Sequence, residues 1–381
     1  MPVTKVVMGP GSFEVNLTDD VLPVPYKITD PLALEDQAFG HVVIFPTRIE
    51  PADYSDTNLL GMSIFTGIYN LQSSRTTLRG MHASGWLGDP DDKGDIVETA
   101  IVAVSPLASW VSALKPAALH AGTYNASPAN LDWTCLYMTR RKAIDYVVDY
   151  FNMEWQVTDD LYLNADTTAN LYVSTPTVIA TPDWNGSDVR FRALRASLKS
   201  DHSAENYVTE GLAEDSGGTL YNAPLSPANP YLDGLGNDVV WQRKVSTGVD
   251  NSAAGAATVA AAQINKWGRI QQSITCETDA FCPMADVECG DNIYLYDPDH
   301  GIYDLDRQVR YAGELMFPMR QRVQSITMQL RDGMGVCFRS GDGVWTDLSD
   351  HVAWETGTSR LAVGAPIPVL SEVTRRSGVR A

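Results

Sequence analysis

The stretch Gly80-Met-His-Ala-Ser-Gly-Trp-Leu-Gly-Asp-Pro-Asp-Asp-Lys-Gly94 lies between two segments that alternate apolar and polar residues. The segment before it runs from Leu60 to Leu71, and the segment after it runs from Ile96 to Val104. Glycine adopts positive φ without strain, and aspartate forms hydrogen bonds with its own backbone. A connection of this composition between two strand-like segments predicts a β-hairpin loop.

Strand patterns recur along most of the chain. The run Val42–Phe45 is continuously apolar and ends at Pro46, which predicts a strand that is covered on both faces. Alternating runs return over residues 154–199 and 269–340. Residues 212–238 are polar and rich in glycine and proline, so we predict a long loop or an interdomain excursion there.

Two helices interrupt the strand pattern. The first begins near Thr139, whose hydroxyl is expected to cap the free amides, and Arg141 is expected to pair with Asp145 one turn later. Its apolar stripe is formed by Ala143, Ile144, Val147, Val148 and Phe151. The second helix is predicted over Ser252 to Trp267 and ends at Gly268. The order is therefore β, helix, β, helix, β.

Length and composition predict a globular chain. With 381 residues, 44% of them apolar, and nine tryptophans, the chain can fill two or three domain cores. No window reaches the roughly 18 apolar residues that span a bilayer, and the first ten residues lack the apolar core of a signal peptide. We expect a soluble protein that is not exported by a signal peptide.

The cysteines and carboxylates do not form a recognisable metal site. The five cysteines are odd in number and contain no CxxC pair, so buried reduced thiols are expected. Asp89–Asp95 resembles the start of a calcium loop, but Lys93 occupies a ligand position and Ala100 replaces the twelfth-position glutamate. Neither a P-loop nor a GxGxxG motif occurs. We therefore predict no metal ligand and no cofactor-binding residue.

The net charge of −19 opposes tight binding to duplex DNA, because gripping phosphates requires a basic surface. Two interpretations fit this charge. The acidic residues could line a channel and repel a DNA duplex that passes through it, or they could serve only to keep the protein soluble. Residues 363–381 lack periodicity and are predicted to be an extended tail. Its Arg375, Arg376 and Arg380 could dock on an acidic neighbour or remain solvated.

One segment resembles a catalytic motif. Glu214-Asp-Ser-Gly-Gly218 is similar to the run around the nucleophilic serine of chymotrypsin-like proteases, and His120 precedes it in the expected order. However, Glu214 stands where those enzymes have the glycine that supplies an oxyanion-hole amide. A polar loop explains the segment equally well, so we predict no catalytic residue and no enzyme.

Several short stretches resemble one family. The run Gly85–Gly94 is similar to a segment in minor tail proteins of siphophages that infect actinobacteria, within the tail-hub or baseplate-hub family. Further similar stretches are Gly40–Pro46, Ala143–Phe151 with Glu154–Val157, Ala223–Gly236, Gly290–Asp297 and Gly333–Arg339. The likeness spans most of the chain, although each motif is short.

The resemblance implies a β-rich α+β fold with two related β-barrel domains, similar to those of tail tubes, and mixed α/β subdomains between them. On this basis we expect a first barrel domain over residues 1–138 and a mixed region over 139–250. A helix with the second barrel would occupy 251–345, and an extended tail 346–381.

The resemblance also implies a function. It predicts a structural virion protein at the tail tip, assembled in the host cytoplasm, whose homotrimer forms a pseudo-six-fold ring. The ring would join the tail tube or distal tail protein to the tip and receptor-binding proteins. It would also meet the C-terminus of the tape measure protein and let DNA pass without specific binding. The alternatives are a hexameric distal tail protein and a tail-tip peptidase or cell-wall hydrolase.

Overall fold

The fold is β-rich: of the residues that the structure describes, 45% lie in strands and 21% in helices. The computed structural model describes residues 2–18, 39–50, 54–70, 77–88, 94–126, 130–182, 191–192, 199–203, 208–215, 217–224, 235–236, 240–245, 253–268, 271–278, 283–311, 314–339, 344–354 and 357–364. Most of the segment Asp89–Asp95 and most of residues 363–381, the predicted extended tail, therefore lie outside the described residues.

The strands of the described residues are as follows in chain order: β1 (Pro2–Val6), β2 (Gly9–Asn16), β3 (Phe39–Phe45), β4 (Phe65–Asn70), β5 (Thr77–His82), β6 (Ile101–Ser105), β7 (His120–Tyr124), β8 (Leu131–Cys135), β9 (Glu154–Val157), β10 (Tyr162–Asp166), β11 (Ile179–Thr181), β12 (Phe191–Arg192), β13 (Lys199–Ser203), β14 (Glu210–Glu214), β15 (Leu220–Pro224), β16 (Gln242–Val245), β17 (Gln271–Thr278), β18 (Asn292–Leu295), β19 (Val309–Tyr311), β20 (Glu314–Met316), β21 (Met319–Gln329), β22 (Gly335–Arg339), β23 (Trp345–Asp347) and β24 (Ser359–Gly364).

The α-helices of the described residues are α1 (Asp56–Met62), α2 (Leu107–Leu114), α3 (Arg140–Tyr150), α4 (Thr168–Leu171) and α5 (Ala253–Trp267). Packing divides the chain into two compact units. The first comprises residues 1–198 and 276–362, and the second comprises 199–275 and 363–381. The four domain ranges expected from the sequence remain a prediction.

A large sheet organises the first unit. Its strands lie in the order β12-β11-β18-β21-β1-β2-β5-β4-β3-β22-β23, and β24 also pairs with β21. Strand β1 is antiparallel to both β2 and β21. Within the described residues no sheet closes into a barrel, so the two expected β-barrels also remain a prediction.

The sequence pattern explains the core of this sheet. Strand β2 alternates buried and more exposed residues, as expected for a strand with one covered face. In β3, by contrast, Val42–Phe45 is at most 1% exposed, which confirms the prediction of a strand covered on both faces. Strands β4 and β22 flank it on either side.

Helix α3 confirms the prediction made from its sequence. The Thr139 hydroxyl accepts a hydrogen bond from the Lys142 amide at 3.3 Å, and Arg141 Nε lies 3.6 Å from Asp145 Oδ2. The predicted apolar stripe is buried. Helix α2 lies beside it, and the Trp110 indole donates to the Leu131 carbonyl of β8 at 3.1 Å.

The second unit contains helix α5 beside a small sheet in the order β15-β14-β16. Helix α5 confirms the predicted helix and its end at Trp267. Its buried Ala256 and Ala260 pack against Ala213 of β14. The prediction of a long loop or an interdomain excursion over residues 212–238 is wrong for residues 212–224, because β14 ends in this range and β15 lies inside it. These strands are short and polar on one face, so periodicity did not reveal them. Residues 225–234 and 237–239 lie outside the described residues.

The hairpin loop predicted for Gly80–Gly94 is also wrong. Gly80 to His82 belong to β5, which pairs antiparallel with β4. A 3-10 helix follows over Ala83–Leu87. The next strand, β6, pairs with β8 instead of returning to β4 or β5.

Close packing, and not a turn, accounts for the glycine at position 80. A Cβ atom there would lie 1.9 Å from the Ile68 carbonyl oxygen and 2.6 Å from Cε1 of Phe13. Only a residue without a side chain fits between the neighbouring strand and this aromatic ring.

Candidate functional site

A buried cluster of charged and polar side chains lies in the first unit. The turn between β9 and β10 carries Asp159, whose Oδ2 lies 2.5 Å from Nζ of Lys5 on β1. Leu161 completes this turn with a positive φ of 70° and donates its amide to the Thr158 carbonyl. The side chains of Lys5 and Asp159 are 12% and 13% exposed. The ion pair thus fastens the turn to the central strand of the sheet.

The second oxygen of Asp159 is also held. Its Oδ1 accepts the Thr66 amide at 3.1 Å and lies 3.4 Å from Nε2 of His82. The Thr66 hydroxyl donates to the Asp159 carbonyl at 2.5 Å. Buried carboxylates are stable when each oxygen has donors of this kind. Residues from β1, β4 and β5 therefore converge on one carboxylate.

The pKa values follow from burial and this pairing. Burial would raise the pKa of Asp159, but the charge of Lys5 and the hydrogen bond from His82 lower it to about 2. Burial lowers the pKa of His82, and Asp159 reverses only part of that effect. Burial also disfavours the charged form of the neighbouring Glu288, which for a carboxyl group means a raised pKa.

The cluster also contains serine, histidine and aspartate in contact. Ser84 Oγ lies 3.0 Å from Nδ1 of His82, whose Nε2 faces Asp159. However, Ser84 is 2% exposed, and its hydroxyl donates to the Gly9 carbonyl at 3.1 Å. The adjoining cavity has a volume of about 40 Å³, enough for a water molecule but not for a peptide or sugar. We infer that the side chains of Ser84, His82 and Asp159 have a structural role, which is to hold β5 and the following 3-10 helix in place.

A second ionic contact joins β9 to β21. Arg322 forms a bidentate ion pair with Glu154, and its Nη1 lies 2.6 Å from Oε1. The guanidinium also lies 4.8 Å from the centroid of the Tyr172 ring, and its Nε donates to the Gly290 carbonyl at 3.1 Å. Gly290 has a φ of 106°, and a Cβ there would lie 2.2 Å from the Tyr172 ring. Through these contacts, Arg322 joins β21 to β9 and to the residues around Tyr172 and Gly290, which is a structural role.

The residues that suggested a protease do not form a catalytic site in the described residues. Asp215 makes the tight turn between β14 and β15 and accepts the amides of Gly217 and Thr219 at 2.9 and 2.8 Å. Ser216 lies outside the described residues. His120 is exposed on β7, with its ring centroid 5.2 Å from that of Tyr162. Turn hydrogen bonds thus account for Asp215 in this segment.

The cysteines that the structure describes are free and buried: Cys135, Cys276, Cys289 and Cys337. Burial raises the pKa of Cys276, Cys289 and Cys337 to about 12. The described ranges contain no group of three or more acidic, histidine or cysteine side chains arranged to hold a metal ion. They also contain no helix long and apolar enough to cross a membrane.

Two short ribbons of the first unit expose apolar side chains. On β6, Val102 and Val104 are 69% and 63% exposed on the face opposite the buried tryptophans. A groove of about 640 Å³ opens beside the beginning of this strand, along residues 94–101. On the ribbon of β19 and β20, Leu315 is 46% exposed. Contiguous exposed apolar patches mark interaction surfaces, so these two ribbons are candidates for contacts with other chains.

Comparison with known proteins identifies a shared fold. No protein-family model and no curated protein matches the chain. Among solved structures, prophage tail protein gp18 from Listeria monocytogenes EGD-e is 10% identical with a TM-score of 0.50, covering 98% of this chain and 89% of that one. The 43 kDa tail protein of prophage MuSo2 from Shewanella oneidensis is 9% identical with a TM-score of 0.50, covering 96% and 93%. Over nearly its whole length, the chain therefore shares the fold of these two phage tail proteins.

Proposed function

We propose that this chain is a structural protein of a phage tail. The observation that carries the proposal is the fold shared with two prophage tail proteins over at least 96% of the chain. The buried clusters support it, because they join strands and the cavity beside Asp159 and His82, of about 40 Å³, is too small for a peptide or sugar. The exposed apolar ribbons fit a protein that works through contacts with neighbours.

Within the tail, we assign the chain to the tip as a hub. Three copies would form a pseudo-six-fold ring from two β-barrel domains per subunit, with the tail tube or distal tail protein on one side. The tip and receptor-binding proteins would lie on the other side, and the tape measure protein would end at the ring. The sequence segments that resemble siphophage hub proteins support this assignment.

The charge of the chain is compatible with a DNA channel. Three copies would together carry −57, three times the charge of one chain. Like charges along a bore keep a duplex from adhering to the wall, so DNA could pass without specific binding. The expected site of action is the virion tail tip.

The mass of the purified assembly tests the hub. Native mass spectrometry of the full chain should give three subunits of 41.6 kDa each, about 125 kDa in total. Negative-stain electron microscopy should show a ring with a central opening. A six-subunit ring of about 250 kDa would instead indicate a distal tail protein, and a monomer at all concentrations would overturn the assignment.

Active-site labelling tests the enzymatic alternative. A serine-reactive fluorophosphonate should label the wild type, Ser216→Ala and Ser84→Ala to the same background level, because neither hydroxyl is expected to be a nucleophile. Loss of a strong wild-type label in one of these variants, with its thermal melting unchanged, would instead identify a hydrolase.

A further inference from the structure

The β6–β8 ribbon and the β19–β20 ribbon both expose apolar side chains, and they also expose side chains of opposite charge. In the ribbon of β6 and β8, Val104 lies directly opposite Asp132, and both are exposed on the outer face. In the ribbon of β19 and β20, Arg310 lies directly opposite Leu315, and both are again exposed. Side chains opposite each other in antiparallel strands share a face. The β6–β8 ribbon therefore presents Val102 and Val104 beside the acidic Asp132, and the β19–β20 ribbon presents Leu315 beside the basic Arg310.

The inner faces of both ribbons are already occupied. Leu131, Trp133 and Cys135 of β8 are buried beneath the first ribbon, and Met316 is buried beneath the second. The exposed pairs, Val104 with Asp132 and Arg310 with Leu315, therefore do not belong to the core of the first unit. They are surfaces that the fold of the first unit leaves open to a neighbour.

We propose that the β19–β20 ribbon of one copy docks on the β6–β8 ribbon of the next copy in the ring. Leu315 would cover Val102 and Val104, and Arg310 would pair with Asp132. This inference rests on the proposed ring, because it names the contact between adjacent subunits.

Head-to-tail contact between two copies fits these surfaces better than self-pairing of either ribbon. A ring with cyclic symmetry needs two different surfaces on each subunit, and the first unit of this chain carries both. If either ribbon met its own copy, two Asp132 carboxylates or two Arg310 guanidinium groups would face each other, which is unfavourable. The chain carries a net charge of −19. An exposed arginine beside an apolar side chain therefore complements Asp132 and the valines of the β6–β8 ribbon.

A charge exchange tests this contact. Asp132→Arg and Arg310→Asp should each weaken trimer formation at least tenfold, measured by sedimentation at a series of dilutions. The double variant should recover most of the wild-type association, because the pair is restored with its charges exchanged. Asp149→Arg, an equal charge change on the exposed face of α3, should assemble like the wild type.

A disulfide trap provides the second measurement. Val104→Cys combined with Leu315→Cys should give, on mild oxidation, a covalent ladder that ends at three chains. Neither single cysteine variant should give more than a covalent dimer. Circular dichroism and thermal melting confirm that each variant is folded.

The outcomes separate the two proposals. If the wild type forms a ring but the folded single-charge variants assemble equally well and the cysteine pair does not cross-link, this contact is wrong and the hub remains. If the wild type forms no ring at any concentration, both proposals are wrong.

Discussion

Gly80 and Gly67, on the neighbouring strands β5 and β4, leave room for the ring of Phe13. A Cβ on Gly67 would lie 2.7 Å from Cε1 of Phe13, and one on Gly80 would lie 2.6 Å from the same atom. An aromatic ring over strand glycines covers backbone that would otherwise be left unpacked. These glycines are thus packing residues, although Gly80 was first predicted to begin a hairpin loop.

Gly80→Ala should therefore destabilise the protein by about 1–3 kcal/mol, because the new methyl group collides with the Ile68 carbonyl and the Phe13 ring. Urea unfolding at neutral pH measures the change. Gly61→Ala is the matched control: it lies in helix α1 with open space around its Cβ, and should stabilise by up to about 1 kcal/mol. Equal effects of the two substitutions would contradict the packing role.

His82 should make stability depend on pH. Burial lowers its folded pKa below the value of about 6.5 expected in the unfolded chain. As the pH falls through about 6.5, the unfolded chain therefore takes up a proton that folded His82 does not, and the free energy of unfolding decreases. The slope from this group approaches about 1.4 kcal/mol per pH unit.

His82→Gln should remove this contribution. Chemical unfolding of the variant between pH 7.5 and 5 should show a flatter profile than the wild type, whatever its absolute stability. A variant whose profile runs parallel to that of the wild type over this range would show that His82 does not titrate differently in the two states.

At the scale of elements, the two longest helices of the described residues, α3 and α5, were predicted from the sequence, whereas the shorter α1, α2 and α4 were not. The cap, apolar stripe and ion pair of α3 all lie within thirteen consecutive residues, Thr139–Phe151, so the sequence pattern alone predicts them. Strand pairing was less predictable. Strand β6 pairs with β8, although helix α2 lies between the two strands in the sequence. No local feature of the sequence indicates that β6 pairs with β8 and not with β5.

Helix α5 offers a test of close packing in the second unit. Ala256→Leu should destabilise that unit by about 1–3 kcal/mol, because Ala256 is fully buried against Ala213 and Ala260. Ala257→Leu, on the exposed side of the same helix, should change stability by only a few tenths of a kcal/mol. Urea unfolding followed by circular dichroism measures both variants. If the two leucines are tolerated equally, the alanine contact is not tightly packed.

At the scale of the whole molecule, composition and periodicity correctly predicted a β-rich fold. They did not predict the buried cluster, because Lys5 and Asp159 are 154 residues apart and His82 and Asp159 are 77 apart. Each of these residues is unremarkable in its local sequence. Only the pairing of β1 with its neighbours and the turn after β9 bring them into contact.

The position of β1 in the sheet has a consequence for biosynthesis. Thr4 on β1 and Thr327 on β21 are adjacent in the sheet, with 3.1 Å between their hydroxyl oxygens, yet 323 residues separate them. A ribosome adds about 5–20 residues per second, so roughly 20 to 60 seconds pass between the synthesis of the two strands. Throughout this interval one edge of β1 has no native partner, and the nascent chain must be protected from aggregation. Completion of this sheet is therefore a late event, which follows the emergence of β21 from the exit tunnel.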